Sequence, residues 1–312
     1  MKHFLDIADL SAEEIKNLLK LGVDLKTELK SGLFRPILKN KVLAMVFQKP
    51  SLRTRVSFDM AMRTLGGDAL YLSPQEIGLG KRESIADVAR VLSGYVQVVM
   101  ARVFAHEHIL ELAKWSDVPV INGLSDYNHP CQAMADALTI YEEFGDLSGL
   151  NVSYIGDGNN VAVSLMKVVT KLGADFRIAN PEDYDMPESD IVQSKKFAEI
   201  SGGSVTLLRD PQAAAQDADV IYTDTWTSMG QEEESKKRER VFPPYQVNQE
   251  LVKLAKPTSI VMHCLPAHRG QEITNEVADG PHSRLFSQAE NRMHAQKAIL
   301  VELLLGGDPD AR

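Results

Sequence analysis

Short apolar runs alternate with amphipathic segments along the whole chain. In the first half, the runs typical of buried β-strands are 42–47, 69–73, 96–103 and 118–122. In the second half they are 151–156, 175–180, 204–209, 219–226 and 259–265. Because strands that alternate with helices form parallel sheets covered on both faces, the pattern predicts an α/β fold.

The segments between these runs carry helix signals. Ser11 and Glu14 fit a capping box ahead of the periodic run IKNLLKLGVDL. Further helical patterns are SLRTRVSFDMAMRTLGG, ESIADVARVLSGY, HEHILELAKWS, HPCQAMADALTIYEEFGDLSGL and SQAENRMHAQKAILVELLLGG. The segment that begins HPCQ joins the two halves, so we expect a domain boundary inside or just after it. The fold class is therefore two domains, each a mostly parallel sheet flanked by helices, joined by long helices.

Composition narrows the class of protein. The 312 residues suffice for two ordinary domains. The net charge of -9, from 34 basic and 43 acidic residues, predicts neither nucleic acid nor an anionic membrane as a partner. No run approaches the ~18 apolar residues of a membrane span. The N-terminal sequence has no apolar signal core, and two cysteines are too few for a disulfide framework. A cytoplasmic location is the expectation.

The stretch FQKPSLRTRVSF, residues 47–58, combines a strand end, a cap and two cations. Ligands of open α/β sheets lie at the carboxyl ends of the strands. Ser51 is a good N-cap, and Arg53 and Arg55 fall in the first helical turn, where the helix dipole disfavours cations. The arginines therefore indicate a bound phosphate-like anion. The alternative is an exposed first turn with ion-paired arginines.

Other polar residues of the first half also follow predicted strands. Arg102 ends the run 96–103, although a surface salt bridge is the commoner reason for such a cation. In HPCQ, His129 could donate to a carbonyl oxygen or be a structural histidine, and Gln132 offers both a donor and an acceptor. Cys131 could be a nucleophile, but a small buried thiol is the more common role.

The second half offers polar groups suited to an amino acid. Asn160, in GDGNN, could bind a carboxylate or an amine, or be a plain helix N-cap. Asp224 could pair with a cationic amine. Ser228 and Met229 lie on a loop before the charge run QEEESKKRER, which is either a solvated face or a mobile lid.

The segment HCLPAHRG, residues 263–270, also begins at a predicted strand end. It places Cys264 at the expected ligand edge, and Arg292 near the start of the last helix could reach the same crevice. The histidines have no recognisable zinc spacing, so we expect no metal. The first half thus suits a phosphorylated, carbonyl-bearing substrate and the second an amino acid with an additional amine, as in a two-domain transferase.

These motifs, in this order, resemble the aspartate/ornithine carbamoyltransferase family, and within it the branch that acts on ornithine. The markers are SLRTR at 51–55, HPCQ at 129–132, GDGNN, D-x-x-x-S-M-G at 224–230 and HCLPAHRG. The resemblance covers nearly the whole chain. It implies transfer of the carbamoyl group of carbamoyl phosphate to the side-chain amine of L-ornithine, giving L-citrulline and phosphate, in arginine metabolism and amino-acid biosynthesis. It also implies no metal or organic cofactor.

The resemblance implies a role for each matching residue. Arg102, His129, Asp224 and Cys264 would be catalytic. Carbamoyl phosphate would be bound by Ser51, Leu52 (through its backbone), Arg53, Thr54, Arg102, His129, Pro130, Cys131, Gln132, Cys264, Leu265 and Arg292. Ornithine would be bound by Asn160, Asp224, Ser228 and Met229.

The family also implies a larger organisation. We expect a carbamoyl-phosphate-binding domain at 1–145, an ornithine-binding domain at 146–290, and a C-terminal helix at 291–312 that packs back on the first domain. A cis Leu265–Pro266 peptide is expected. So is a homotrimer, or a higher assembly of trimers, with sites between subunits.

Two positions depart from the usual ornithine pattern. Leu52 stands where threonine is usual, as in the branch that carbamoylates N-acylated ornithines. Gly78 stands where many ornithine enzymes carry a glutamine given to the neighbouring subunit, and Lys81 or Arg82 could substitute for it. The SMG and HCLPAHRG segments are ornithine-like, so ornithine remains the expected substrate.

Two other classes of protein remain as alternatives. A nicotinamide-dependent dehydrogenase is disfavoured because GDGNN lacks the third glycine, which is replaced by Val161, and no clear acidic residue ends the next predicted strand. A non-catalytic amino-acid-binding relative is disfavoured because Arg53, Arg102, His129 and Cys264 are intact. The direction of the reaction in the cell, biosynthetic or catabolic, stays open.

Overall fold

The protein forms two compact units, each organised around its own sheet. The structure, a computed structural model, describes residues 1–227 and 232–310. The first unit comprises Met1–Leu138 and Asn291–Arg312, and the second comprises Thr139–Glu290. The division thus falls within the helical segment that begins at HPCQ, and the first unit is built from both ends of the chain.

Helices occupy the segments where the sequence shows helical periodicity. Ser11 caps the first of them, where its hydroxyl accepts from the Glu14 backbone N–H and Glu14 accepts from the Ser11 backbone, so the predicted capping box is confirmed. Short 3₁₀ helices lie at Ile7–Asp9, Glu232–Glu234 and Pro243–Tyr245. The α-helices are α1 Ala12–Lys30, α2 Leu52–Thr64, α3 Pro74–Ile77, α4 Ile85–Ser93, α5 His106–Trp115, α6 Pro130–Phe144, α7 Asn160–Lys171, α8 Glu188–Ser201, α9 Pro211–Ala215, α10 Ser235–Val241, α11 Gln249–Val252, α12 Asn275–Ala278 and α13 Leu285–Leu305.

All nine predicted strands are present, and the predicted fold class is confirmed. The sheet of the first unit has the order β2–β1–β3–β4, and that of the second has the order β7–β6–β5–β8–β9. Every pairing between these strands is parallel. The strands are β1 Val42–Phe47, β2 Asp68–Leu72, β3 Val98–Arg102, β4 Val120–Leu124, β5 Asn151–Ile155, β6 Asp175–Ala179, β7 Ser204–Leu208, β8 Val220–Thr223 and β9 Ile260–His263.

The main difference from the sequence prediction is where strands end. The run 219–226 was predicted to be extended throughout, but β8 ends at Thr223, because the Asp224 carboxylate accepts the next backbone N–H and turns the chain. The run 118–122 was predicted as a strand, but β4 is shifted to Val120–Leu124. The Ser116 hydroxyl bonds the backbone of Val118 and holds that residue in a turn.

The central strands are buried on both faces, which is why they read as uninterrupted apolar runs. In each sheet one strand has neighbours reached by chain connections in opposite directions: β1 lies between β2 and β3, and β5 lies between β6 and β8. Such switch points form ligand crevices at the carboxyl ends of the strands. No helix in the described part of the chain is long and apolar enough to span a bilayer.

Candidate active site

The N-terminus of α2 has the features of an anion site. Ser51 caps it in an extended conformation, and its hydroxyl accepts from the Thr54 backbone N–H at 3.4 Å. The first turn of α2 contains no acidic residue. Arg53 is half-buried, and its side chain has no hydrogen bond or ion pair within residues 1–227 and 232–310. Arg55 packs its guanidinium 4.0 Å from the centre of the Tyr71 ring. The alternative of ion-paired arginines therefore finds no acidic partner among the described residues.

Thr54 is the point at which two further guanidinium groups converge. Its side chain is fully buried, and its hydroxyl oxygen accepts from Arg102 Nη1 at 3.3 Å and from Arg292 Nη2 at 3.1 Å. Arg102 is the last residue of β3, and Arg292 lies on α13. The Ser51 hydroxyl is hydrogen-bonded to the same oxygen at 3.2 Å, which ties the helix cap to the two guanidinium groups. The surface salt bridge considered for Arg102 is wrong, since its side chain is 5% exposed.

His129 lies immediately before α6 and is buried in the same region. Burial, with the positive charges of Arg292, Arg102 and Arg53 adding to it, holds the pKa of His129 well below the usual range. The imidazole is therefore neutral at neutral pH and keeps one N–H donor. A neutral donor of this kind, placed among cations, is better suited to a carbonyl oxygen than to an anion.

The remaining residues of HPCQ face in different directions. Gln132 Oε1 accepts from Arg292 Nη1 at 2.7 Å. Cys131 instead donates its thiol to the Asn122 carbonyl at 3.3 Å, and burial raises its pKa to about 12, although Arg292 opposes the shift. A thiol that stays protonated is a poor nucleophile. The structure thus supports the interpretation of Cys131 as a small buried thiol.

In the second unit, Asp224 follows β8 and gathers three donors. Its Oδ1 accepts from the Cys264 thiol at 3.0 Å and from the Thr225 backbone N–H at 2.8 Å. Its Oδ2 accepts from Asn159 Nδ2 at 2.8 Å. The carboxylate is 7% exposed. Asp224 and Cys264, which are 40 residues apart in the sequence, are therefore in direct contact.

The asparagine that contacts Asp224 is not the one that the sequence singled out. Asn160 is the first residue of α7, and the N-cap is Asn159, whose side-chain oxygen accepts from the backbone N–H groups of Val161 and Ala162. The alternative of Asn160 as a plain N-cap is therefore wrong. The preference of helix caps for Asn could have identified Asn159, because GDGNN offers two adjacent candidates.

One residue of the charge run QEEESKKRER is buried, contrary to the expectation of a solvated face. Arg238 donates to Asp157 Oδ2 at 2.7 Å and to the Trp226 carbonyl at 2.8 Å. Burial raises the pKa of Asp157 to about 6, although Arg238 opposes that shift. These contacts fix the chain on both sides of the segment 228–231. Ser228 and Met229 lie outside the described residues.

The segment after β9 is held by His263. Its Nδ1 accepts from the Leu265 backbone N–H at 2.8 Å, so its Nε2 carries the proton and donates to Glu272 Oε1 at 3.0 Å. Leu265 has a φ of 58°, in the left-handed region that is unfavourable for a branched side chain. The Leu265–Pro266 peptide is cis, as expected.

Asp224, His263 and Cys264 also offer potential metal-ligand atoms within 4.8 Å of one another. In this structure those atoms serve other partners, because both nitrogens of His263 are engaged and the Cys264 thiol donates to Asp224. The three side chains thus form a hydrogen-bonded set.

Comparison with known proteins identifies the family. Residues 2–142 match the carbamoyl-P binding domain of aspartate/ornithine carbamoyltransferases, and residues 148–303 match their Asp/Orn binding domain. The chain belongs to the aspartate/ornithine carbamoyltransferase family. The resemblance drawn from the motifs is confirmed.

The relatives that the chain resembles include ornithine carbamoyltransferases of archaea and bacteria. It is 55% identical over 306 residues to that of Pyrococcus abyssi, covering 98% of this chain and 96% of the relative. It is also 55% identical over 306 residues to the anabolic ornithine carbamoyltransferase of Pyrococcus furiosus, covering 98% and 97%. A solved structure of the Pyrococcus furiosus ornithine carbamoyltransferase superposes with a TM-score of 0.95 at 54% identity, covering 98% of both chains. That of Thermus thermophilus gives 0.88 at 44% identity, covering 97% of this chain and 99% of the other.

Proposed function

We infer that the protein is a carbamoyltransferase that transfers the carbamoyl group of carbamoyl phosphate to the side-chain amine of L-ornithine, giving L-citrulline and phosphate. The observation that carries this function is the convergence of Arg102 and Arg292 on Thr54, beside the uncompensated Arg53 at the N-terminus of α2. This arrangement suits a phosphate next to a carbonyl. The likeness to ornithine carbamoyltransferases over nearly the whole chain supports ornithine as the acceptor.

We propose that the phosphate binds at the start of α2. The hydroxyl of Ser51, the backbone N–H of Leu52, the guanidinium of Arg53 and the backbone of Thr54 surround the position where an anion compensates the helix dipole. Leu52 is 77% exposed, which fits a contribution through its backbone alone. Pro130 begins α6 and, with the backbone of Cys131, contributes to the wall of this site.

The carbonyl oxygen of the carbamoyl group would accept from Thr54, Arg102 and the neutral His129. Attack by the amine places a negative charge on this oxygen, and donors already aimed at it stabilise that charge without reorganising. Gln132, held by Arg292, would recognise the carbamoyl amide. By the family resemblance, Cys264 and Leu265 would also take part in binding carbamoyl phosphate.

The acceptor amine must lose a proton before it attacks, since an unperturbed alkyl amine has a pKa of about 10.4. Asp224, Cys264 and Asn160 would orient ornithine, with Ser228 and Met229 contributing from the neighbouring loop. Asp224 is already tied to Cys264 and Asn159, so its position is fixed before substrate binds. The ornithine ammonium first releases one proton to solvent. The neutral amine nitrogen then forms the new bond to carbon, the bond from carbon to the phosphate oxygen breaks, and the departing phosphate accepts the second proton of that nitrogen near Arg53. No metal or organic cofactor enters this scheme.

We further propose that each unit binds one of the two substrates, as the two domains of the family do. The first 145 residues with the helix at 291–312 would bind carbamoyl phosphate, and 146–290 would bind ornithine. We propose a homotrimer or a higher assembly of trimers. In it, Lys81 or Arg82 would take the role of the glutamine that many ornithine enzymes carry at the position of Gly78. Both basic side chains are exposed, and that of Lys81 has no hydrogen bond or ion pair among the described residues. A cytoplasmic location is supported by the two free thiols, Cys131 and Cys264.

A panel of amines tests the substrate. Citrulline formation from carbamoyl phosphate and L-ornithine is measured beside aspartate, putrescine and N-acetylornithine. We expect turnover with ornithine to exceed that with every control. Turnover with N-acetylornithine but not ornithine would overturn the substrate assignment and give Leu52 a role in it.

A further inference from the structure

A buried carboxylate that none of the steps above uses lies behind the carbamoyl site. Asp136 is on α6, one helical turn after Gln132, and its side chain is completely buried. Gln132 Nε2 donates to Asp136 Oδ1 at 2.8 Å. A buried carboxylate is costly unless it is hydrogen-bonded, so its retention next to this glutamine calls for a reason.

The contacts of Gln132 fix which way its amide points. Its oxygen accepts from Arg292, which can only donate, and its nitrogen donates to a carboxyl oxygen of Asp136. Reversing the amide would place its N–H groups against a guanidinium and its oxygen against a carboxylate. The usual ambiguity between amide oxygen and nitrogen is therefore removed by the two neighbours.

The fixed amide is one link in a chain of polar groups. Thr54 accepts from Arg292, Arg292 donates to Gln132, and Gln132 donates to Asp136. Donation from Gln132 to Asp136 polarises the amide and makes its oxygen a stronger acceptor for Arg292. Gln132 Oε1 keeps a second lone pair, which could accept an N–H from the carbamoyl group.

We propose that Asp136 is a positioning residue that locks the Gln132 amide with its oxygen toward the substrate, so that the site selects a carbamoyl NH₂ over a methyl group. This inference rests on the proposed function. Asp136 acts through Gln132 and does not touch the substrate. Its effect is on selectivity for the amide, separate from the phosphate affinity supplied at α2.

Two phosphonate ligands that differ only at the relevant group provide the test. Phosphonoacetamide carries the amide NH₂, and acetonylphosphonate carries a methyl in its place. Binding of each to the full-length protein is measured by calorimetry, with inorganic phosphate as a probe of the α2 site. In Asp136→Ala we expect the affinity for phosphonoacetamide to fall about 10- to 100-fold, the loss expected for a hydrogen bond to a charged group. The affinities for acetonylphosphonate and phosphate should be unchanged.

Asp136→Asn keeps an acceptor but loses the charge, so a smaller fall in selectivity, about three- to tenfold, is expected from it. If Asp136→Ala does not fold, Asp136→Asn alone tests the proposed role of Asp136. Thr139→Val, another buried polar position on α6, is the matched control and should leave the selectivity unchanged. In a double-mutant cycle, Asp136→Asn should have no further effect on selectivity once Gln132→Ala is present.

The outcomes separate the two proposals. A wild-type protein that forms no citrulline overturns the proposed function. A wild-type protein that forms citrulline, combined with folded Asp136 variants that weaken both phosphonates equally or neither, overturns the role of Asp136. So does a Thr139→Val variant that loses the same selectivity.

Discussion

At the scale of single residues, Arg53 occupies a position that is unfavourable for a cation unless an anion is bound. Arg53 and Arg55 both stand in the first turn of α2, where the exposed N–H groups repel cations. Arg55 is accommodated by the Tyr71 ring, but Arg53 has no such partner among the described residues. Arg55 is therefore the natural comparison for Arg53. The position of Arg55 is explained by a contact within the protein, whereas Arg53 is proposed to bind phosphate.

Arg53→Ala should lower kcat/KM by about 10²–10³-fold, the usual cost of removing one donor from a charge-stabilising site. Arg55→Ala is the matched control and should retain turnover, as should Leu52→Thr, because Leu52 is 77% exposed. In the absence of substrate, Arg53→Ala should be more stable by about 0.3–1 kcal/mol, since it relieves repulsion at the helix terminus. Arg55→Ala should show little net change, because the same relief is offset by loss of the contact with the Tyr71 ring. Steady-state kinetics and urea unfolding measure the two effects. Equal losses of turnover in the two arginine variants would contradict the assignment of the phosphate to Arg53.

His129 should remain neutral where an ordinary histidine titrates. Its folded-state pKa is lowered by burial and by three nearby arginines, while in the unfolded chain it protonates near the usual value of about 6.5. Its contribution to stability is thus fully present above about 6.5 and is lost as the pH falls toward the folded-state pKa. Imidazole NMR signals, assigned with His129→Gln, should not shift for this residue between pH about 6 and 8. A midpoint near 6.5 would show that the imidazole is solvated and is not the neutral donor proposed here.

At the scale of elements, local sequence signals were sufficient to predict the strands. They were not sufficient to predict the side-chain contacts between segments that are distant in the sequence. The central strands are runs of buried residues, so their signal lies within the run itself. Asn159 and Arg238 were missed because their roles depend on partners far away in the sequence. Asn159 contacts Asp224 65 residues later, and Arg238 contacts Asp157 81 residues earlier. The motif that we propose to bind phosphate is contiguous and can be read from the sequence, whereas the link from Gln132 to Asp136 needed the orientation of a buried amide.

Asn159 caps α7 and also donates to the Asp224 carboxylate, and substitutions can separate these two roles. Asn159→Ala should destabilise the protein by about 1 kcal/mol through loss of the α7 cap. Asn159→Ser should keep the cap, because serine is an equally good N-cap residue, but its shorter side chain loses the bond to Asp224. Both variants should raise the KM for ornithine about tenfold or more, the expected cost of a lost bond to a carboxylate. Thermal unfolding and ornithine kinetics give the two readouts. A serine variant with unchanged ornithine KM would show that Asp224 is positioned by its other donors alone.

At the scale of the whole molecule, the first unit depends on both ends of the chain. Beyond its site residue Arg292, α13 carries Lys297, which donates to the Leu25 carbonyl of α1, and Asn291, which accepts from Lys26. Burial lowers the pKa of Lys297 to about 8, so this side chain is held in place at a cost. The second unit, Thr139–Glu290, is one continuous segment.

Deleting residues 291–312 should therefore disrupt the first unit and spare the second. Hydrogen exchange is expected to lose protection in 1–138 while protection in 139–290 remains, and binding of inorganic phosphate should be abolished. A chain ending at Leu305 is the control, because it retains the whole of α13 and should exchange like the intact protein. Retained protection in 1–138 of the larger deletion would mean that α13 is dispensable for this unit.

The use of both chain ends also sets an order of events on the ribosome. Gln132 and Arg292 are 160 residues apart, and at a synthesis rate of about 5–20 residues per second the first waits roughly 8–32 seconds for the second. During that interval the nascent chain has its α2 turn but lacks the guanidinium that links Thr54 to Gln132. The second unit, Thr139–Glu290, can therefore complete its fold before the first unit, which still lacks Asn291–Arg312. The link between Gln132 and Thr54 therefore forms only after Arg292 has been translated.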